Sequence, residues 1–319
     1  MHNENMEEIK SISMQNVTFS YKGKKRYVFE DFSVDIEPNH ITGIIGRNGQ
    51  GKTTLMNLIA GKFEPDEGII EIDGKNPVTD IGTAKRIVYV AGVMSYSEMK
   101  LKKTKKKILA AVAIEEYRLM YEKFDEEFAH KLMELFGLNK KAKIKNLSKG
   151  QETIFNFCCG MATRADITIL DEPVSGVDAI SRNKIYEIIL RDYIEHPRTI
   201  LISSHMLGEM EKILSHMIMI GNNDVLFAGD IEELKDSVYR VDGELANIEK
   251  YCEEKKVLYK KNQTLGAMAV IEGRLDKEEA EKADELELAT SKLSGEEIYM
   301  YKTDLKNANQ MEALWEKKN

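Results

Sequence analysis

The run Gly46-Arg47-Asn48-Gly49-Gln50-Gly51-Lys52-Thr53 has the spacing G-x-x-x-x-G-K-[ST]. Glycines at these places let successive backbone N–H groups converge on phosphate oxygens. A helix opening at the lysine adds the partial positive charge of its N-terminus. In that setting Lys52 reaches the β- and γ-phosphates of a nucleotide and the Thr53 hydroxyl sits on Mg²⁺.

Two further groups carry chemistry. Ile167-Thr168-Ile169-Leu170-Asp171-Glu172-Pro173 is an apolar run ending in two carboxylates, about 120 residues after the phosphate loop. Asp171 is then placed to hold the metal, and Glu172 to polarise an attacking water. Leu147-Ser148-Lys149-Gly150-Gln151 reads as a helix start, with Ser148 as N-cap of a helix from Gln151 through Met161.

The elements that must position these residues follow from the pattern. Ile41, Ile44 and Ile45 predict a buried strand before the glycines, and Thr53 to Ala60 a helix with Leu55, Leu58 and Ile59 on one side. Residues 10–37 read as strands broken by Lys22-Gly23-Lys24, and Ile69–Ile72 and Ile87–Val90 as further short strands. Leu101 to Leu138 has little Gly or Pro and much Lys, Glu, Leu and Ala, which predicts mostly helix. Ile167–Leu170 and Thr199–Ser203 are strands of the buried type. Between them a helix, Ile180–Ile194, carries Ile185, Ile188, Ile189 and Tyr193. Strands alternating with helices predict an α/β fold with a largely parallel sheet covered on both faces, and the helical block is an insertion.

Past about Val238 the character changes. Tyr239–Val241, Val257–Tyr259, Ala267–Ile271 and Ile298–Tyr301 are strand-like and alternate with charged helices, Lys277–Leu288 among them. The expected division is residues 1–238, with a helical subdomain at about 93–160, and a small α/β appendage at 239–319.

The 319 residues suit roughly two domains. A net charge of −8 does not suit a general nucleic-acid binder. No run approaches the ~18 apolar residues of a membrane helix, and the polar start MHNENMEEIK is unlike a secretory signal. A cytoplasmic protein is expected. Cys158 and Cys159 are adjacent, Cys252 is remote, and none has zinc-type spacing, so all three read as reduced thiols.

With these motifs in order, the chain resembles the ATP-binding cassette family over roughly residues 10–235. Leu147–Gln151 matches the family's signature motif. Val174-Ser175-Gly176-Val177-Asp178 resembles the loop after the catalytic glutamate, Ser203-Ser204-His205 the switch histidine, and Tyr21, 25 residues before Gly46, the aromatic that stacks on adenine. The resemblance implies a P-loop NTPase with an antiparallel β subdomain and ATP and Mg²⁺ as cofactors. It implies nucleotide contacts from Tyr21, Gly46, Asn48, Gly49, Gly51, Lys52, Thr53 and Thr54, and from Ser148, Gly150, Gln151 and Asp178. Thr53 and Asp171 would hold the metal, and Glu172, His205 and Lys52 would carry catalysis. It further implies a cassette dimer, homomeric or heteromeric, in which each signature meets the ATP held by the other subunit. That dimer would lie peripherally on the inner face of the membrane beneath a separate permease, with export as the expected direction and no nucleic acid as partner. A soluble cassette acting on ribosomes or DNA, and a regulatory cassette, are the alternatives.

Two positions depart from the family pattern. Ala91-Gly92 stands where a polar pair with glutamine is usual, with Ser95, Ser97 or Glu98 as possible substitutes, and Lys149 stands where the signature has glycine. The basic run Lys102, Lys103, Lys105, Lys106 and Lys107 follows that first loop. It reads as a solvated helix start, or as a face toward anionic headgroups.

Overall fold

The computed structural model describes residues 8–24, 26–91, 110–139, 141–263 and 266–303. Gly92, Ser95, Ser97, Glu98 and the lysine run at 102–107 lie outside the described residues. The chain divides into two compact units with the boundary between Ala228 and Gly229. Among the described residues no helix is long and apolar enough to cross a membrane.

The first unit is built on a six-stranded sheet. Its strands are β3 (Ile41–Gly46), β5 (Ile87–Ala91), β6 (Ile167–Asp171), β7 (Thr199–Ser203), β8 (His216–Gly221) and β9 (Asp224–Asp230). They lie in the order β5-β6-β7-β3-β8-β9. The four pairings from β5 through β8 are parallel, as the alternating pattern predicts. Every residue of β6, β7 and β8 is buried, which is why these segments read as continuous apolar runs. The Asn222-Asn223 turn joins β8 to β9, and both residues have positive φ (54° and 65°), a conformation asparagine tolerates.

A smaller antiparallel sheet, β2-β1-β4, is formed by β1 (Ile12–Phe19), β2 (Phe29–Ile36) and β4 (Glu67–Ile72). Helix α1 (Lys52–Ile59) shares one core with both sheets. That core contains Met14, Phe29 and Phe32 from the antiparallel strands, Leu55 and Leu58 from α1, and Ile44, Leu201 and Ile220 from the parallel strands. Helix α1 is buried on nearly all sides rather than on the single apolar stripe expected, because it lies between two sheets.

Helices α2 (Ala110–Met120) and α3 (Glu126–Leu135) form the described part of the insertion. Helix α4 (Lys149–Ala162) follows and packs on β5. Gly160 allows this approach: a Cβ built there would overlap the Val90 side chain. Helix α5 (Ala179–Glu195) buries Ile185, Tyr186 and Ile189. It also buries Asp192, whose Oδ2 accepts a 2.8 Å hydrogen bond from Arg198. Arg198 is only 4% exposed and also donates to Thr168 Oγ1 and the His196 carbonyl. Burial lowers the Arg198 pKa and Asp192 opposes the shift. The remaining hydrogen bonds are what make such a buried pair tolerable.

The second unit carries an antiparallel sheet in the order β11-β12-β10-β13. Its strands are β10 (Val238–Gly243), β11 (Lys256–Gln263), β12 (Gly266–Glu272) and β13 (Ala289–Lys292). Helices α6 (Leu245–Cys252) and α7 (Lys277–Glu285) contribute Ile248, Tyr251 and Ala283 to its core, beside Tyr239, Val241 and Ile271.

Two features correct the sequence expectation. Ile298–Tyr301 is not a strand but lies in helix α8 (Gly295–Thr303). Ser294 and Glu297 cap it reciprocally: the Glu297 amide donates to Ser294 Oγ, and the Ser294 amide donates to Glu297 Oε2. A short apolar run has no period of its own, so the cap decides. Strand β13 was not anticipated, because its sequence ATSK is polar and its side chains are mostly exposed, as suits an edge strand.

The Gly160–Val90 contact makes a test of packing. Gly160→Ala should lower stability by about 1–3 kcal/mol through overpacking, read as a shift of the urea midpoint. Adding Val90→Ala should recover part of the loss, and strictly additive losses would contradict direct contact.

Candidate functional site

Strand β3 ends at Gly46 and α1 begins at Lys52, so the glycine loop joins the C-terminal end of a central parallel strand to a helix N-terminus. That is the position where parallel sheets place ligand sites. Gly51 has φ +97°, and a Cβ there would stand 2.6 Å from Phe29 Cζ, so glycine is required on both counts. Gln50 Oε1 accepts from the Asn223 amide at 3.3 Å, which braces the loop against the β8–β9 turn. Asn48 and Gly49 are exposed at the loop's tip.

Lys52 folds back over its own loop, donating to the Gly46 carbonyl at 2.5 Å and to that of Arg47 at 3.4 Å. Burial lowers its pKa, and the charges of Glu172 and Asp171 oppose that shift. An ammonium so placed, with two carboxylates within electrostatic reach, is suited to exchange carbonyl partners for phosphate oxygens.

Register brings the acids to the same end of the sheet. Asp171 of β6 pairs with Ser203 of β7, and Ser203 pairs with Ile44 of β3. The Ser203 hydroxyl donates to Asp171 Oδ1 at 2.6 Å and accepts from the Glu172 amide at 3.0 Å. Tyr89, on β5, donates its hydroxyl to Asp171 Oδ2 at 2.7 Å. Both carboxylate oxygens of Asp171 are therefore oriented by hydroxyl groups. Burial, then the charge of Asp171, pushes the Tyr89 phenol above its ordinary pKa and keeps it a donor. Lys62 lays its ammonium 3.2 Å from the Tyr89 ring centroid. Desolvation lowers that ammonium's pKa to about 8, with Asp171 opposing.

Glu172 adopts φ +52°, a left-handed conformation that costs a glutamate energy. The turn directs its side chain to His205, whose Nδ1 lies 2.7 Å from Glu172 Oε2. An ionised carboxylate only accepts, so the proton of this bond belongs to the imidazole. The histidine side chain is 58% exposed and that of the glutamate 26%, which leaves both open to a ligand and to water.

The remaining predicted residues lie on other loops and helix starts of the first unit. Tyr21 donates to, or accepts from, Thr54 Oγ1 at 2.9 Å and stands edge-on to Phe19 and Phe63, with 37% of its surface exposed. Thr53 is exposed on the first turn of α1. Ser148 caps α4: its Oγ accepts from the Gln151 amide at 3.2 Å, and Gln151 Oε1 accepts from the Ser148 amide at 3.0 Å. The helix thus starts at Lys149, two residues before the expected position, with Gly150 in its first turn. Thr153 donates to the Ser175 carbonyl at 3.1 Å, tying the α4 N-terminus to the loop after Glu172. Asp178 caps α5, accepting from the amides of Ile180 and Ser181. Those bonds, that of Ser181 foremost, lower its pKa.

Tyr89, Lys62 and the bridging role of Ser203 were not read from the sequence. A tyrosine in the run Ile-Val-Tyr-Val was the available signal, since a half-buried phenol needs a partner. Cys158 and Cys159 are fully buried, and burial raises both thiol pKa values, so they behave as core residues.

Ser203→Ala would leave the Glu172 amide and one Asp171 oxygen without their partner. The expected cost is about 1–3 kcal/mol of stability, together with slower hydrolysis at saturating nucleotide. A variant with unchanged melting and turnover would remove the bridge from the account.

The ABC transporter family model matches residues 29–175. The ABC transporter ATP-binding protein NatA of Bacillus subtilis is 30% identical over 248 residues, covering 71% of this chain and 92% of NatA. YtrB, an ABC transporter ATP-binding protein of the same organism, is 29% identical over 214 residues, covering 67% of this chain and 70% of YtrB. Among solved structures, the dimeric MJ0796, a bacterial ABC transporter cassette, superposes with a TM-score of 0.56 at 20% identity, covering 69% of this chain and 98% of that one. Fold, site geometry and relatives agree: the chain belongs to the ABC transporter ATP-binding protein family and is an ATPase of that family.

Proposed function

We propose that this chain is the ATP-hydrolysing subunit of an exporter whose membrane-spanning permease is a separate chain. It works as a cassette dimer, peripheral on the inner face of the membrane. The observation that carries the reading is the convergence of Lys52, Asp171, Glu172, Ser203 and His205 at one end of the sheet.

Each side chain has a role in this reading. Tyr21 offers its exposed ring to the adenine. The loop amides from Gly46 to Gly51, with Asn48 and Gly49 at the tip, hold the phosphates, and Lys52 leaves the Gly46 carbonyl to join them. Thr53 and Asp171 are hard oxygen donors of the kind Mg²⁺ takes, and Asp171 has both oxygens held in place by Ser203 and Tyr89. Mg²⁺ supplies neutralisation of charge on the β- and γ-phosphates. Glu172 accepts a hydrogen bond from the attacking water and polarises it. His205 keeps Glu172 in place and meets the γ-phosphate.

Ser148, Gly150 and Gln151 present an exposed helix N-terminus, which favours anions. In the dimer this surface covers the ATP of the other subunit, and Asp178 lies in the adjoining loop. The Thr153–Ser175 bond would then transmit closure from the signature helix to the loop carrying Glu172. Residues 1–238 are taken as the ATPase domain. Residues 239–319 are taken as an accessory domain that affects dimer lifetime or permease docking.

Two variants test this. Lys52→Ala should abolish hydrolysis while leaving the fold intact, and unchanged turnover at saturating ATP would exclude this loop as the catalytic one. Glu172→Gln should bind ATP normally and turn over about 10²–10⁴-fold more slowly. With ATP and Mg²⁺ it should run as a dimer in light scattering and separate in ADP. A monomer with ATP demonstrably bound, alone and with its permease, would contradict the shared site.

A further inference from the structure

The two histidines His40 and His216 stand together although 176 positions apart in sequence. His40 ends the β2–β3 turn and His216 opens β8, where it pairs with Thr42 of β3. Since β3 runs from Ile41 to Gly46, this place is the end of the sheet opposite the phosphate loop. The ring centroids are 3.9 Å apart with planes tilted by 44°. Both Nδ1 atoms face one hydroxyl, Ser215 Oγ, at 3.1 Å from His40 and 3.4 Å from His216. Both Nε2 atoms face one carboxylate, Glu37, at 2.9 Å from His216 and 3.7 Å from His40.

This arrangement is that of a metal site with its supporting hydroxyl. A histidine that ligates through Nε2 is held by a hydrogen bond at Nδ1, and Ser215 supplies that to both rings. The ligand atoms of Glu37, His40 and His216 all lie within 4.8 Å of one another. Donors about 2.0–2.1 Å from a tetrahedral ion sit about 3.3 Å apart, so closure asks for a small adjustment. Glu37 can make it, since its side chain is 64% exposed, whereas that of His216 is held at 11%. Of the two rings, only His216 is within hydrogen-bond distance of Glu37, and the His40 Nε2, at 3.7 Å, is too far for a direct bond but close enough to share an ion with the other two groups.

We propose that Glu37, His40 and His216 form a site for a divalent transition-metal ion, Zn²⁺ by donor chemistry, at the end of the sheet opposite the nucleotide. Two imidazoles are borderline ligands that suit Zn²⁺ better than Mg²⁺ or Ca²⁺, and Zn²⁺ also accepts a carboxylate oxygen. The ion takes the Nε2 lone pairs of the two rings, whose Nδ1–H groups donate to Ser215 Oγ, and leaves the fourth position to water. It would clamp the β2–β3 turn to the start of β8.

The test uses the full chain without an affinity tag, free of nucleotide, titrated with Zn²⁺ against a chromophoric chelator. The wild type should take up one equivalent that Glu37→Gln, His40→Gln and His216→Ala each lose or bind at least about tenfold more weakly, the range that ligand-shell changes produce. Glu37→Gln and His40→Gln change partly exposed side chains, so at least two variants should remain folded. Zn²⁺ should raise the melting temperature of the wild type and not that of the variants. Co²⁺ should give visible bands without a thiolate charge-transfer band, which separates this site from Cys158, Cys159 and Cys252. No Zn²⁺ uptake by the wild type, equal uptake by wild type and all three variants, or a thiolate band would each overturn the proposal.

Discussion

Two carboxylates cannot be kept beside one another at a sheet end without something to hold them in place. Here that is the hydroxyl of Ser203, which gives its proton to Asp171 and takes one from the Glu172 amide. The bridge exists because β6 and β7 pair in parallel with Asp171 opposite Ser203. The same strand pairs with β3 at Ile44, two residues before the glycine loop. One register therefore sets the distance between the phosphate loop and both acids. A slip of one residue would turn every one of these side chains to the wrong face. The helices and the antiparallel sheet bury the two faces that keep this register in place.

Charge follows from that arrangement. Lys52 is buried and short of water, and the nearby acids favour its charged form. Tyr89 and Ser203 occupy both oxygens of Asp171 with donors, and His205 engages Glu172. The site is oriented before any phosphate arrives, and preorganised dipoles are where such enzymes gain most of their rate. The left-handed backbone at Glu172 adds a strain that the surrounding bonds must sustain.

What was legible in the sequence was local. The glycine loop, the strand ending in Asp171-Glu172 and the Ser148 cap are each set by neighbours within a few residues, and fixed spacing reveals them. The parallel strands declared themselves because burial on both faces makes continuous apolar runs. Tyr89 with Asp171, Arg198 with Asp192 and Thr168, and His40 with His216 are contacts across strands or loops, and no spacing rule links their partners. Ile298–Tyr301 failed for a different reason. Its composition suited a strand, but the Ser294–Glu297 cap, visible as Ser-x-x-Glu, commits the backbone to a helix. The polar ATSK of β13 could not announce an edge strand whose partner, β10, lies about 50 residues earlier.

The central claim is that the proposed catalytic site is completed by a second cassette, with Lys52, Glu172 and His205 from one subunit and the signature, Ser148 where the second subunit is a copy of this chain, from the other. The most direct measurement is single-turnover hydrolysis by an equimolar mixture of Lys52→Ala and Ser148→Arg chains. Each variant alone lacks one half of every site and should be inactive. In mixed dimers one site combines the intact loop of the second variant with the intact signature of the first, so the mixture should release phosphate. If mixed dimers form, bind ATP and release none, the site is not shared as proposed.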